Sequence, residues 1–161
     1  MRIGFVLTHR LTILSMNAVL AVIALVTLWD TFILLRDMAG NVDAIENLLD
    51  GIATIFVAYG VALEERDTLM KVFKLYPHLE SARQTATDKL CHFYGLSYLL
   101  IGLFMEVMIE VVKLPYRVLN NPAAEGAIFA IGLLFCLAAV VLLVRNSFSL
   151  FRKERTSLAP E

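Results

Sequence analysis

Four stretches of the chain are nearly free of charge, and polar, charge-rich segments separate them. The first runs from Leu11 to Leu35, about 25 residues, enough to cross a ~30 Å hydrocarbon core as a tilted helix. The second runs from Leu48 to Leu63, about 16 residues, and falls short of the ~20 that a spanning helix usually needs. The third extends from Tyr94 to Val112, and the fourth from Gly126 to Val144 without a charged residue. This pattern predicts an all-α integral membrane protein, a single domain in which four transmembrane helices form a bundle.

The helical pattern does not stop at Leu63. Residues 64–76 contain no Gly or Pro, and Leu69, Val72, Phe73 and Tyr76 follow the i, i+3, i+4, i+7 spacing of one helix face. Pro77 interrupts that pattern. From Leu79 the residues Leu79, Ala82, Ala86 and Leu90 again share a face and lead into the third span. Spans two and three are therefore expected to extend beyond the membrane as a helical hairpin over residues 64–90, turning at Pro77-His78. Twelve residues of such a helix reach roughly 18 Å. Leu69, Val72, Phe73 and Tyr76 then form a candidate docking face for a partner. The hairpin's lysines and amphipathic character also suit a helix lying on the lipid surface. Residues 145–161 read as a polar, basic tail, with Phe148, Leu150 and Phe151 as interfacial anchors.

Charge fixes the expected orientation. The N-terminal flank, the segment between spans two and three, and the tail together carry eleven Lys and Arg residues, against three (Arg36, Lys113 and Arg117) on the other side. The positive-inside rule places both termini in the cytoplasm, with the inner or plasma membrane as the location in a bacterium. Arg2 and Arg10 ahead of an apolar run resemble a signal peptide, but the run is too long for its hydrophobic region and reads as an uncleaved first span. The composition agrees with a membrane class: 59% of residues are hydrophobic, above the usual globular share. A net charge of −1 leaves no basic surplus for neutralising phosphates, so nucleic acid is not an expected partner.

The candidate chemistry lies in carboxylates inside the apolar stretches. Asp30, Glu106 and Glu110 stand within the first and third spans, where an ionised group needs a partner, water or a function. The expected topology gathers them in the outer leaflet, with Asp50 near the start of span two and Glu125 at the start of span four. Glu106 and Glu110 are four residues apart and share a helix face. Two carboxylates that close do not readily both ionise, which is the arrangement a proton-exchanging or cation-binding pair uses. Asp30 is able to complete such a group from span one. The alternatives are structural: an ion pair of Glu110 with Lys113, and hydrogen bonds from neighbouring hydroxyls to Glu106 and, through Thr27 or Thr31, to Asp30. No ionisable residue continues the path through the inner half.

Other chemistry is thin. His9 and His92 precede spans one and three at similar depth and are weak candidates for holding a haem between two helices. Met105 and Met108 flank Glu106 but point in different directions from it, so no metal site is expected. Cys91 and Cys136 provide neither a disulfide framework nor a zinc spacing. No HExxH, GxSxG or glycine-rich phosphate loop occurs, and an enzyme is not expected. Small residues mark candidate helix contacts: Gly51, Ala53, Ala58, Gly60 and Ala62 in span two, and Gly126 with Ala130 in span four.

The layout, with the span-two exit Tyr59-Gly60-Val61-Ala62-Leu63-Glu64-Glu65-Arg66-Asp67, resembles the small four-span subunit of the tripartite periplasmic-binding-protein-dependent transporters for organic acids. The long helical extension departs from that family. The resemblance implies a subunit role and assigns no residue. The expected function is a non-catalytic small subunit or assembly component of a membrane complex, without a cofactor. It would associate with the lipid bilayer and with other membrane subunits or itself. The alternatives are a small oligomeric ion or proton conductor, or a haem-carrying electron-transfer subunit.

Overall fold

A computed structural model describes residues 10–72, 82–113 and 122–156. These residues form five α-helices: α1 (Arg10–Leu34), α2 (Val42–Glu64), α3 (Arg66–Val72), α4 (Ala82–Lys113) and α5 (Pro122–Thr156). A 3₁₀ segment, Leu35–Gly40, follows α1. Four helical stretches are long and apolar enough to cross a membrane: Leu11–Met38, Val42–Glu64, Thr87–Lys113 and Ala123–Phe151.

The turn after the first span has a local cause. Asp37 leaves helical geometry (φ −129°, ψ 62°), the Asn41 side-chain amide donates to the Asp37 carbonyl at 2.7 Å, and the Asn41 backbone N–H donates to Met38. The chain reverses there, and α2 begins at Val42, six residues ahead of Leu48. The added residues include Asp43, Glu46 and Asn47, none of them buried. A search for apolar residues passes over a helical turn like this, where polar side chains project toward water. With it the second span has 23 residues and meets the length requirement.

At its other end α2 stops at Glu64, and α3 resumes after Glu65, whose backbone has φ −84° and ψ 10°. The Glu65 N–H still bonds the Val61 carbonyl, and the Leu69 N–H bonds the Glu65 carbonyl, so the helix is interrupted without being lost. Arg66 and Met70 are the buried residues of α3, and Arg66 forms an ion pair with Asp88 of α4. Leu69 and Val72 are exposed. The side of α3 that packs inward is therefore not the Leu69/Val72 face. Phe73, Tyr76 and the turn expected at Pro77-His78 lie outside the described residues. The last helix also continues beyond Val144 through residues read as a tail, and Leu150 is buried core rather than an anchor.

Cross-chain contacts fix the arrangement. Thr54 with Glu106 and Glu64 with His92 run α2 antiparallel to α4, and Arg66 of α3 with Asp88 of α4 continues the same register. Asn17 with Ser147 and Cys136 with Ala24 run α1 antiparallel to α5. The α2/α4 contact is the most extensive, α1 packs more on α5 than on α2, and α1 and α4 scarcely touch. The bundle thus has one end bearing the exits of α1's N-terminus, α2, α4's N-terminus and α5's C-terminus, here the terminal end, and an opposite, far end.

Buried positions recur at alternating steps of three and four in each long helix. In α1 they are Ile13, Asn17, Leu20, Ala24, Thr27 and Thr31; in α2, Ile45, Leu49, Ile52, Phe56, Tyr59 and Leu63. Cys91, Tyr94 and Tyr98 continue the pattern in α4, and Leu143, Asn146 and Leu150 in α5. This seven-residue repeat is that of a left-handed bundle seam.

Glycine sets the closest contact. A Cβ on Gly60 would lie 2.5 Å from the Leu99 nitrogen, one on Gly95 would lie 2.5 Å from the Glu64 nitrogen, and one on Gly102 would lie 2.8 Å from the Ala53 carbonyl oxygen. The α2 and α4 backbones therefore touch along three levels. Van der Waals contact of this kind is a main source of helix association in lipid. Of the small residues singled out from sequence, Gly60 and Ala53 lie in this contact. Gly51, Ala58, Ala62 and Ala130 are exposed, and Gly126 meets only Met38.

Candidate functional site

The far end gathers most of the carboxylates named from sequence around one lysine. Asp50 and Glu46 project from α2 four residues apart and so share a face. Glu110 and Lys113 project from the last turn of α4. The antiparallel register brings position 50 opposite position 113. The Lys113 ammonium donates to Asp50 at 3.2 Å and to Glu110 at 3.0 Å. Lys113, Glu110 and Glu125 are also near enough to act electrostatically on Glu46. Lys113 thus bridges two helices, and one cation serves several anions. Glu46 was not singled out from sequence; its i, i+4 relation to Asp50 was the available signal.

Glu106 lies one turn deeper and is half-buried. It accepts a hydrogen bond from the Thr54 hydroxyl of α2 at 3.2 Å, so its nearest polar contact is an interhelical hydroxyl. Its flanking Met105 is fully buried, and Met108 is half-buried.

Asp30 stands apart from this group. It is exposed on α1, while Thr27 and Thr31 turn into the bundle. Because α1 and α4 occupy opposite corners, the fold does not bring Asp30 to Glu106 or Glu110. Trp29 and Ile33, which flank it, are exposed apolar residues. Of the cations expected on this side, Arg36 lies over the Phe32 ring at 5.3 Å, and Arg117 lies outside the described residues.

The terminal end holds a polar layer that sequence reasoning missed. Asn17 of α1 is buried; its carboxamide accepts from the Tyr59 hydroxyl of α2 and donates to Ser147 of α5 at 3.2 Å. Tyr94 of α4 is hydrogen-bonded to Ser149 of α5 at 3.2 Å. The Tyr59 and Tyr98 rings are 5.6 Å apart, and Asn146 is fully enclosed beside Tyr98. All four long helices contribute. Asn17 and Tyr59 stand in apolar runs, Asn146, Ser147 and Ser149 belong to the segment that reads as a polar tail, and only the register shows that they meet.

Between the two polar ends lies an apolar layer. Leu49, Ile52, Phe56, Met105, Ile109 and Phe129 are each no more than 2% exposed. Among the described residues, no group of three or more His, Cys, Asp or Glu side chains has the geometry to hold a metal ion. His92 is exposed at the terminal end, with its Nδ1 3.6 Å from Glu64; its proposed haem partner His9 lies outside the described residues. Comparison with known protein families, with curated proteins and with solved structures finds no match to this chain.

Proposed function

We propose that this protein is a non-catalytic subunit or assembly component of a membrane complex, and that it docks a partner through the extension beyond its second span. The observation that carries this reading is the disposition of α3. Arg66 and Met70 tie the short helix to the bundle, while Leu69 and Val72 are turned outward, 43% and 68% exposed. An anchored helix presenting apolar side chains is a preformed contact surface, since little ordering entropy remains to be lost on binding. In the full reading, Phe73 and Tyr76 extend this face and the extension is a cytoplasmic hairpin.

Asp30 supports the same conclusion from within the membrane. It faces away from its own bundle among exposed apolar residues. A carboxylate facing lipid costs a few kcal/mol near the bilayer centre and less toward the interface. A second membrane subunit offering a basic or hydroxyl group would remove that cost. The conduction reading draws less support: Lys113 occupies Asp50 and Glu110, Asp30 is remote from them, and an apolar layer crosses the bundle.

The test is the size of the particle extracted from native membranes in mild detergent, with the protein expressed at its natural level. The wild type is expected to migrate as a complex larger than the 18.0 kDa chain with its micelle. Leu69→Asp with Val72→Asp should migrate as the free chain while keeping its thermal stability. A wild-type particle containing one chain alone overturns the proposal.

A further inference from the structure

The polar layer at the terminal end contains groups that the protein's own partners leave unsatisfied. Tyr98 and Asn146 are both at 0% exposure. The Tyr98 hydroxyl and the Asn146 carboxamide lie close enough to interact with each other, which serves at most one of the two amide atoms, and among the described residues the other amide atom has no partner. A carboxamide presents two donors and an acceptor, and a phenol a donor and an acceptor. Protein interiors rarely leave such groups dry, and where no protein atom serves them an ordered water with several polar partners does. The penalty for failing to do so is larger in a membrane domain, where no bulk water is at hand.

The surroundings favour water over an ion. Asn17, Tyr59, Tyr98, Asn146 and Ser147 are all neutral, and they form a succession: the Tyr59 ring beside Tyr98, the Tyr59 hydroxyl on Asn17, and the Asn17 amide on Ser147. Asn17 and Ser147 also line a groove between α1 and α5 with a volume of about 210 Å³. Its other lining residues, Ala18, Ala21, Leu143, Val144, Phe148 and Phe151, are apolar, and neither Tyr98 nor Asn146 borders it, so the groove itself is not the place of the water. Toward the far end the succession stops at the apolar layer of Phe56, Met105 and Phe129.

We propose that the Asn146 carboxamide, together with the Tyr98 hydroxyl beside it, holds ordered water inside the bundle, in the polar layer at the terminal end and sealed from the far end by the apolar layer. This layer is a binding site for water and reaches only part of the way across the protein.

Radiolytic hydroxyl-radical labelling tests this, because structural water generates radicals beside enclosed side chains. The full chain in lipid nanodiscs is irradiated and oxidation is read by mass spectrometry. Tyr98 is expected to be oxidised, while Phe129 and Met105, equally enclosed in the apolar layer, remain unlabelled. Methionine is intrinsically more reactive toward radicals than tyrosine, so silence at Met105 is a stringent control. Asn146→Leu should abolish the label at Tyr98. Should that variant fail to fold, Tyr98→Phe, which removes one oxygen atom, should lose the label at position 98. A silent Tyr98 in the wild type overturns the proposal. Equal labelling of Tyr98, Phe129 and Met105 also overturns it, since that reports opening of the whole bundle. A label that survives in the variants rules out these two residues as the holders of the water.

Discussion

Gly95→Ala is the sharpest perturbation of the bundle. The new methyl carbon would stand 2.5 Å from the Glu64 nitrogen and 2.8 Å from the Gly60 carbonyl oxygen. Both are backbone atoms, so no side chain can swing aside. Restoring an ordinary van der Waals separation requires α2 and α4 to part by roughly 1 Å, and a gap of that size forfeits a quarter to a half of each pairwise attraction it opens. Overpacking of this kind costs about 1–3 kcal/mol. Alanine's better helix propensity returns up to about 1 kcal/mol. A net loss of about 1–2 kcal/mol is expected. Gly51→Ala is the matched control, because a Cβ there meets nothing within 4 Å; it should be neutral or slightly stabilising. Reversible unfolding in mixed micelles, with the two variants side by side, measures the difference. Equal stability of Gly95→Ala and Gly51→Ala would refute the backbone contact between α2 and α4.

Two further predictions concern the terminal end and the core. Tyr59→Phe and Asn17→Leu should each destabilise by about 1 kcal/mol through loss of their shared hydrogen bond. The double variant should cost less than the sum, and strict additivity in the unfolding cycle would show that the bond does not form. Cys91 and Cys136 are both fully buried, so neither should react with a maleimide in the native protein and both should react after denaturation; rapid native labelling would show that the seam is open.

The number of spans and the helical class were legible because long charge-poor runs have few other solutions in a membrane. The faces of those helices were not. In a water-soluble bundle the core stripe stands out against polar neighbours, but here Val22, Leu25, Val26 and Trp29 on the exposed side of α1 are as apolar as Leu20 and Ala24 on the buried side. The hydrophobic pattern therefore carries little information about which side packs. Glycines were visible, yet their partners were not: Gly95 and Gly102 matter because of what α2 places against them, while Gly126 and Ala130 share an equally suggestive spacing and face no backbone. The Glu110–Lys113 pair could be read from three-residue spacing, whereas Asp50 joins it only through the register of two helices 63 residues apart in sequence at the point of contact. Asn17 and Asn146 lay hidden for the same reason.

The pairing of α1 with α5 bears on how the protein is made. The first span leaves the ribosome long before the helix that covers most of its buried face, and Asn17 waits for a serine 130 positions later. Until then that asparagine stands in or beside the lipid with at most the Tyr59 hydroxyl to satisfy it. The α2/α4 pair, joined through glycine, can assemble as soon as α4 is inserted. The contact pattern therefore allows the α2/α4 pair to form before the last span is made, whereas the α1 seam can close only afterwards. A chain truncated before Pro122 would display an unfinished polar seam within the membrane, the kind of feature by which a cell can distinguish an incomplete protein from a finished one.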